Sequence, residues 1–179
     1  MSKILLAGIT ILLVFVSARE VYSQNYNRKM TNNKTHEEIL VGLCTRSAFL
    51  EDSYQDWFIP KYKTYKVASD KAVIDSLKPL LKDLKIKIVL GSWCHDSQEQ
   101  LPHFFSILDY LHFPEENYTI IGVNTQKEAV SFSIEDLDVV LVPTFIFYKK
   151  EQEIGRIIES PIISLEKDML HILRKAETD

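Results

Sequence analysis

The sequence predicts an α/β fold, one mixed sheet flanked by helices, and three observations carry that prediction. First, apolar runs of strand length recur at 86–90, 118–123, 144–148 and 154–158. Second, the stretch between the first two has helical period, with Leu101, Phe104, Phe105, Leu108 and Leu111 on one face of a helix over 98–111. Third, the last two runs are joined by a tight charged turn, as in a hairpin, and a closing helix follows. Ser164 caps that helix, Glu166 and Asp168 lie at its start, and Arg174 and Lys175 at its end, matching the helix dipole. The order β-α-β-(α)-β-β-α then gives one sheet and one domain over 69–179.

The elements before this domain follow from local signals. Ser69 or Asp70 caps a helix running to about 84, with Val73, Ile74, Leu77, Leu80, Leu81 and Leu84 on its apolar face. Pro79 kinks or divides it. Residues 24–68 read as an N-terminal extension that starts disordered and becomes helical. The stretch 24–34 is polar and Asn-rich, and Asn33 and Asn117 begin glycosylation sequons by pattern. Thr35 caps a short helix from His36, with Glu37 and Glu38 in its first turn. Thr45 opens another helix, to about 57, whose aromatic side is Phe49, Tyr54, Trp57 and Phe58. Pro60 ends it, and Tyr62 and Tyr65 follow in an extended piece expected to pack on the main domain. The stretch 124–138 is a polar connection with room for a short helix.

Residues 1–23 read as a secretory leader. Lys3 supplies the positive start, and the apolar run over 4–16 is interrupted only by Thr10. Small residues allow cleavage after Ala18 or after Ser23; the second is preferred and leaves Gln24 as the mature start. The run is shorter than the roughly 20 residues of a spanning helix. No cysteine follows either cleavage point, against a lipoprotein anchor. The expectation is a periplasmic or secreted protein, monomeric and free of the membrane once the leader is removed.

The 179 residues are 46% hydrophobic and 26% charged, ordinary for a chain with a real core. The net charge of −4 argues against nucleic acid as a main partner, which needs a concentrated basic surface. Two cysteines, Cys44 and Cys94, are too few for a disulfide scaffold.

The chemistry concentrates in Gly91-Ser92-Trp93-Cys94-His95-Asp96-Ser97. A buried strand ends there and a helix begins, so Cys94 sits where helix N–H groups and the dipole favour a thiolate. His95, if protonated, adds to that effect and Asp96 opposes it; surface or capping roles are the simpler readings for both. A metal site built from Cys94, His95 and Asp96 is not expected, because adjacent side chains do not converge on one ion. A hydrolase with His103 or His112 as base has no further support.

Trp93-Cys94-x-x-Ser97, Pro102 eight residues after the cysteine, and Val142-Pro143-Thr-Phe before a hairpin together resemble the thioredoxin superfamily over roughly 84–175. The resemblance implies a thioredoxin-like fold, Cys94 as the attacking sulfur, Trp93 beside it, and a cis-Pro143 loop that offers backbone hydrogen bonds to an extended client. More narrowly, the chain is similar to secreted thioredoxin-like proteins of the Bacteroidetes type, with a Cys-x-x-Ser motif.

The departures from that family matter. Ser97 stands in place of the resolving cysteine, Ile88 in place of a buried Asp, and Lys149-Lys-Glu-Gln152 in place of an Asn-Gly turn. Loss of both thiol and carboxylate argues against the ordinary dithiol reductase cycle. A lone thiolate still forms mixed disulfides that an external thiol releases. Ser97 is placed to donate a hydrogen bond to the Cys94 sulfur. Cys44 is either a remote core residue, the preferred reading, or a resolving thiol, or half of a structural bridge.

The expectation is thiol–disulfide exchange through Cys94, of oxidoreductase or isomerase type, on client proteins or small-molecule thiols and without a cofactor. Trp93, His95, Val142 and Pro143 would contact the client. The alternative is a redox-inactive binding module that keeps only the peptide groove.

Overall fold

The computed structural model describes residues 26–51, 54–67 and 71–178. The leader and the caps expected at Ser69 or Asp70 lie outside them. The elements are strands β1 (Arg28–Thr31) and β2 (Glu38–Cys44), a 3-10 turn (Arg46–Leu50), and helices α1 (Tyr54–Thr64) and α2 (Lys71–Leu77). After a second 3-10 turn (Lys78–Leu81) come β3 (Leu84–Leu90), α3 (His95–Tyr110), β4 (Tyr118–Gly122), β5 (Thr144–Lys149), β6 (Gln152–Ile158) and α4 (Leu165–Thr178).

The strands form one six-stranded sheet in the order β1-β2-β4-β3-β5-β6. β3 and β4 are parallel, joined through α3, and the other neighbouring pairs are antiparallel. A parallel pair crossed over by a helix, then an antiparallel hairpin and a closing helix, is the thioredoxin-like arrangement. Burial explains why these segments are strands. Leu84, Ile86, Ile88 and Leu90 face one side of the sheet and Val89 the other, all of them buried. Exposed Lys85 and half-buried Lys87 alternate with them at the start of the strand, and the alternation is lost from Ile88 to Leu90, where both faces are covered.

The N-terminal extension differs from its expected form. Glu38–Cys44 is a strand, not the short helix expected from His36. The reason is its run Ile39-Leu40-Val41, which is fully buried between β1 and β4; tertiary burial outweighs the local cap signal of Thr35. Within the stretch expected to be disordered, Arg28–Thr31 pairs with β2 as a hairpin. Thr45 does not cap the following turn. Its N–H donates to Asn27 Oδ1 at 2.7 Å and its hydroxyl accepts from Asn27 Nδ2 at 2.8 Å. Pro60 lies inside α1 rather than ending it, and Tyr62 is helical. Pro79 divides its helix, since α2 ends at Leu77 and a 3-10 turn takes over.

Among the polar ties that fasten the extension to the domain, three involve charged side chains of the described residues. Arg46 makes a two-pronged ion pair with Asp109 on α3, and Tyr62 donates its hydroxyl to the same carboxylate. Lys61 pairs with Glu99. Tyr65 donates to both carboxylate oxygens of the buried Glu166 on α4 at 3.1 Å. Phe49, Trp57, Phe58 and Tyr62 form a continuous ring cluster that reaches Phe105 of α3.

The main core lies between the sheet and α1 to α4. A smaller cluster covers the opposite face: Val89, Ile121 and Ile146 of the sheet meet Ala129, Ile134, Leu137 and Val142. That cover comes from the irregular connection 123–142, whose one regular piece is a 3-10 turn, Glu135–Leu137. The β5–β6 turn is Lys150-Glu151, both at positive φ (49° and 62°), a conformation that Asn-Gly would adopt with less strain. Among the described residues no helix is long and apolar enough to cross a membrane.

Candidate functional site: the Cys94 loop and the Pro143 loop

The site lies at the carboxyl end of β3. The chain leaves the sheet at Leu90, turns through Gly91-Ser92-Trp93, and enters α3 with Cys94 as its N-cap residue (φ −91°, ψ 128°). The turn is closed by Cys94 N–H to Gly91 O at 2.9 Å, and α3 begins with Gln98 N–H to Cys94 O at 3.0 Å. Asp96 lies in the first helical turn, where its charge suits the dipole.

Each residue of the turn is held separately. Gly91 is required because the Trp93 ring lies over it: a Cβ there would stand 2.7 Å from Trp93 Cε2. That ring is pinned by Nε1–H donating to Val123 O at 2.9 Å, and the Lys127 ammonium stands 5.8 Å from its centroid. Ser92 is buried, and its hydroxyl accepts the Leu40 N–H of β2 at 3.0 Å. Gln98 Nε2 donates to Ser92 O at 2.9 Å. Ser92 and Gln98 were not among the expected site residues; the only signal for them was the small Gly-Ser pair before the tryptophan.

The second wall is the loop before β5. The Val142–Pro143 peptide bond is cis, and both residues are buried. Cys94 Sγ, half-buried, donates to Val142 O at 3.1 Å. Pro143 O in turn accepts the Glu159 N–H at 2.7 Å, which seats the segment after β6 beside this loop. Cys94, Trp93, Val142 and Pro143 therefore come together. His95 is exposed at the first position of α3.

The geometry departs from the role expected of Ser97 and decides between the readings of Cys44. Ser97 is completely buried, and its hydroxyl accepts the Gly91 N–H at 3.2 Å rather than donating to the Cys94 sulfur. Cys44 is a free, buried thiol on β2 within the main core, whereas Cys94 packs against the smaller cluster on the other face of the sheet. Burial pushes the Cys44 thiol up to about 12, and its Sγ donates to Gly42 O at 3.5 Å. Cys44 is thus a core residue, and the structure does not bring it to Cys94. Ile88, in the place of a family carboxylate, is fully buried among apolar side chains.

His103 faces away from this chemistry. It stacks on Tyr65 with ring centroids 4.3 Å apart, and burial holds its pKa below the usual imidazole value against the opposing pull of Glu99. Among the described residues no cluster of three or more His, Cys, Asp or Glu side chains is arranged to hold a metal ion.

Several apolar side chains are exposed on the two segments that meet at this loop. Val140 and Leu141 precede Val142, Ile158 ends β6 just before the Glu159 bond, and Ile162 and Ile163 follow it; all five are exposed, Ile162 at 95%. Exposed apolar residues in such a group mark a contact surface. They escape sequence reading because loop residues carry no periodicity.

Sheet order, the Cys94 turn and the opposing cis-proline loop together define a thioredoxin-like fold with Cys94 at the carboxyl end of β3. The comparisons agree at that level. No family model matches the chain. Over 111 residues it is 29% identical to thioredoxin domain-containing protein 2 of Rattus norvegicus, a match covering 60% of this chain and 18% of that relative's length. That homology supports the thioredoxin superfamily. Among solved structures, the fold is similar to a protein of unknown function from Pseudomonas aeruginosa, with TM-score 0.52 and 16% identity over 74% of this chain and 91% of that one. It is also similar to an HIV epitope scaffold, with TM-score 0.51 and 17% identity over 75% and 92%.

Proposed function

We propose that the chain is a monothiol exchange protein acting through Cys94 on disulfides of protein clients. The observation that carries this reading is the half-buried Cys94 sulfur at the start of α3, facing the Val142–Pro143 loop at 3.1 Å. Helix N-termini favour a negatively charged sulfur. The Cys94 thiolate would attack one sulfur of a client disulfide. An S–S bond forms between Cys94 and the client as the client's own bond breaks, and the other client cysteine leaves as a thiolate. With Ser97 in place of a second thiol, an external thiol completes release by attacking the mixed disulfide. The exposed apolar side chains of Val140, Leu141, Ile162 and Ile163, on the segments joined at the Pro143 loop, support a protein client over a small polar thiol. The leader-like residues 1–23 support an extracytoplasmic site of action, where disulfides persist.

One observation favours a second reading, a docking module without turnover. Cys94 donates its thiol proton to Val142 O, a bond that a thiolate loses.

Incubation with a disulfide-linked peptide, followed by intact mass, separates the two. Exchange predicts an adduct on the native chain that an added thiol removes and that Cys94→Ser does not form. Binding of the same peptide with no adduct selects the docking module.

A further inference from the structure

We propose that the cleft beside the 123–142 connection is a docking site for a cationic, apolar client segment next to the client's disulfide; this rests on the exchange reading and specifies its substrate. The cleft has a volume of about 840 Å³ and lies between the turn at 126–130 and the stretch 132–140. Val130, Phe132 and Val140 line it and are all exposed. Three carboxylates, Glu128, Glu135 and Asp138, stand along it against one ammonium, Lys127, which lies over the Trp93 ring. Glu128 is fixed in place: its Oε2 accepts from Asn124 Nδ2 at 2.9 Å, and Asn124 Oδ1 accepts the N–H groups of Gln126 and Glu128 at 2.9 Å.

Apolar walls with a carboxylate rim fit one ligand chemistry. A phosphate or an acidic peptide is repelled, and a purely apolar segment leaves the excess negative charge of the rim uncompensated. A segment carrying Leu or Phe together with Lys or Arg satisfies both. The position ties the cleft to the sulfur. Val140 lines it and is two residues from Val142, so at most about 7 Å of chain separates the cleft lip from the carbonyl facing Cys94. Val139, Trp93 and Cys94 pack on the same apolar cluster. An extended client advances about 3.3–3.6 Å per residue. A side chain about two or three positions from the client cysteine therefore reaches the cleft.

The test uses two peptides, each with one cysteine activated as a mixed disulfide with thiopyridine. One carries Leu, Phe and two Lys beside the cysteine; in the other, Glu replaces Lys. Attack by Cys94 joins the two sulfurs and releases thiopyridone, which is read by absorbance. On the native chain the cationic peptide should react about tenfold faster at low salt, with the advantage shrinking as salt rises. In the Glu135→Gln, Asp138→Asn double variant the ratio between the peptides should fall towards one. Equal rates on the native chain, or a preference that survives the double variant, would overturn the proposal. Hydroxyethyl disulfide, small and neutral, reports the Cys94 chemistry alone. If Cys94 attacks neither it nor the peptides, the exchange reading fails, and fluorescent forms of both peptides titrated into Cys94→Ser decide the cleft by itself. Selective, salt-sensitive binding of the cationic peptide sustains the docking site; equal or absent binding removes it.

Discussion

Ser97 Oγ accepts the Gly91 N–H at 3.2 Å, so the residue standing where a resolving cysteine would be holds the turn before Cys94 instead. This bond is buried and links the first turn of α3 back to the end of β3. Ser97→Ala leaves the Gly91 N–H without an acceptor and should cost about 1–3 kcal/mol in denaturant unfolding. It should leave the rate of Cys94 alkylation within about twofold, because the hydroxyl does not reach the sulfur. A large change in that rate with little loss of stability would mean that Ser97 serves the sulfur directly.

Gly91 and Trp93 are a packing pair. A Cβ at 91 meets the indole at 2.7 Å, and the indole is pinned to Val123 O, so it has no free direction to yield. Gly91→Ala should cost about 1–3 kcal/mol by overpacking. It should also shift the tryptophan emission as the Val123 bond is lost. Native-like stability and emission would show that the turn repacks without strain.

The extension is expected to act as a structural strap. Burial opposes ionisation of Asp109, but hydrogen bonds from Arg46 and Tyr62 prevail and hold its carboxyl below the usual value. Arg46→Ala should destabilise by about 1–3 kcal/mol. The double variant with Asp109→Ala should lose less than the sum of the two single losses, as coupled partners do. Strict additivity in a double-mutant cycle would contradict the pair.

Two groups set opposite pH limits on stability. His103 has a depressed folded pKa, so the unfolded chain binds its proton more readily. Stability is then full above the ordinary imidazole value of about 6.5 and falls as pH drops through the folded value. Cys44 is raised to about 12 from 9.0, so stability is full below 9.0 and falls as pH rises from there towards 12. Chemical denaturation across pH should show both slopes. His103→Gln should flatten the acid one, and Cys44→Ala should flatten the start of the alkaline one. Unchanged slopes in the variants would assign them to other groups.

The legible part of the chain was the part with periodic burial. The α3 face from Leu101 to Leu108, the two parallel strands and the hairpin all announce themselves by spacing. The β2 strand did not, because the capping signal at Thr35 is local whereas the burial of Ile39 to Val41 depends on the sheet that β2 joins, through β4, which is distant in sequence. Cys94, Trp93 and the Val142–Pro143 loop were legible as a motif. The engagement of Ser97 with Gly91, the tie from Ser92 to Leu40, and the cleft lined by Val130, Phe132 and Val140 were not. Each depends on loop geometry that no residue spacing encodes.

The most direct test of the account is the pH profile of alkylation of Cys94, measured by intact mass in a Cys44→Ala background. Thiol exchange predicts that Cys94 labels faster at neutral pH than a model thiol such as free cysteine in a short peptide. Labelling no faster than the model thiol at every pH would contradict thiol exchange and leave the groove around Cys94 as a docking surface.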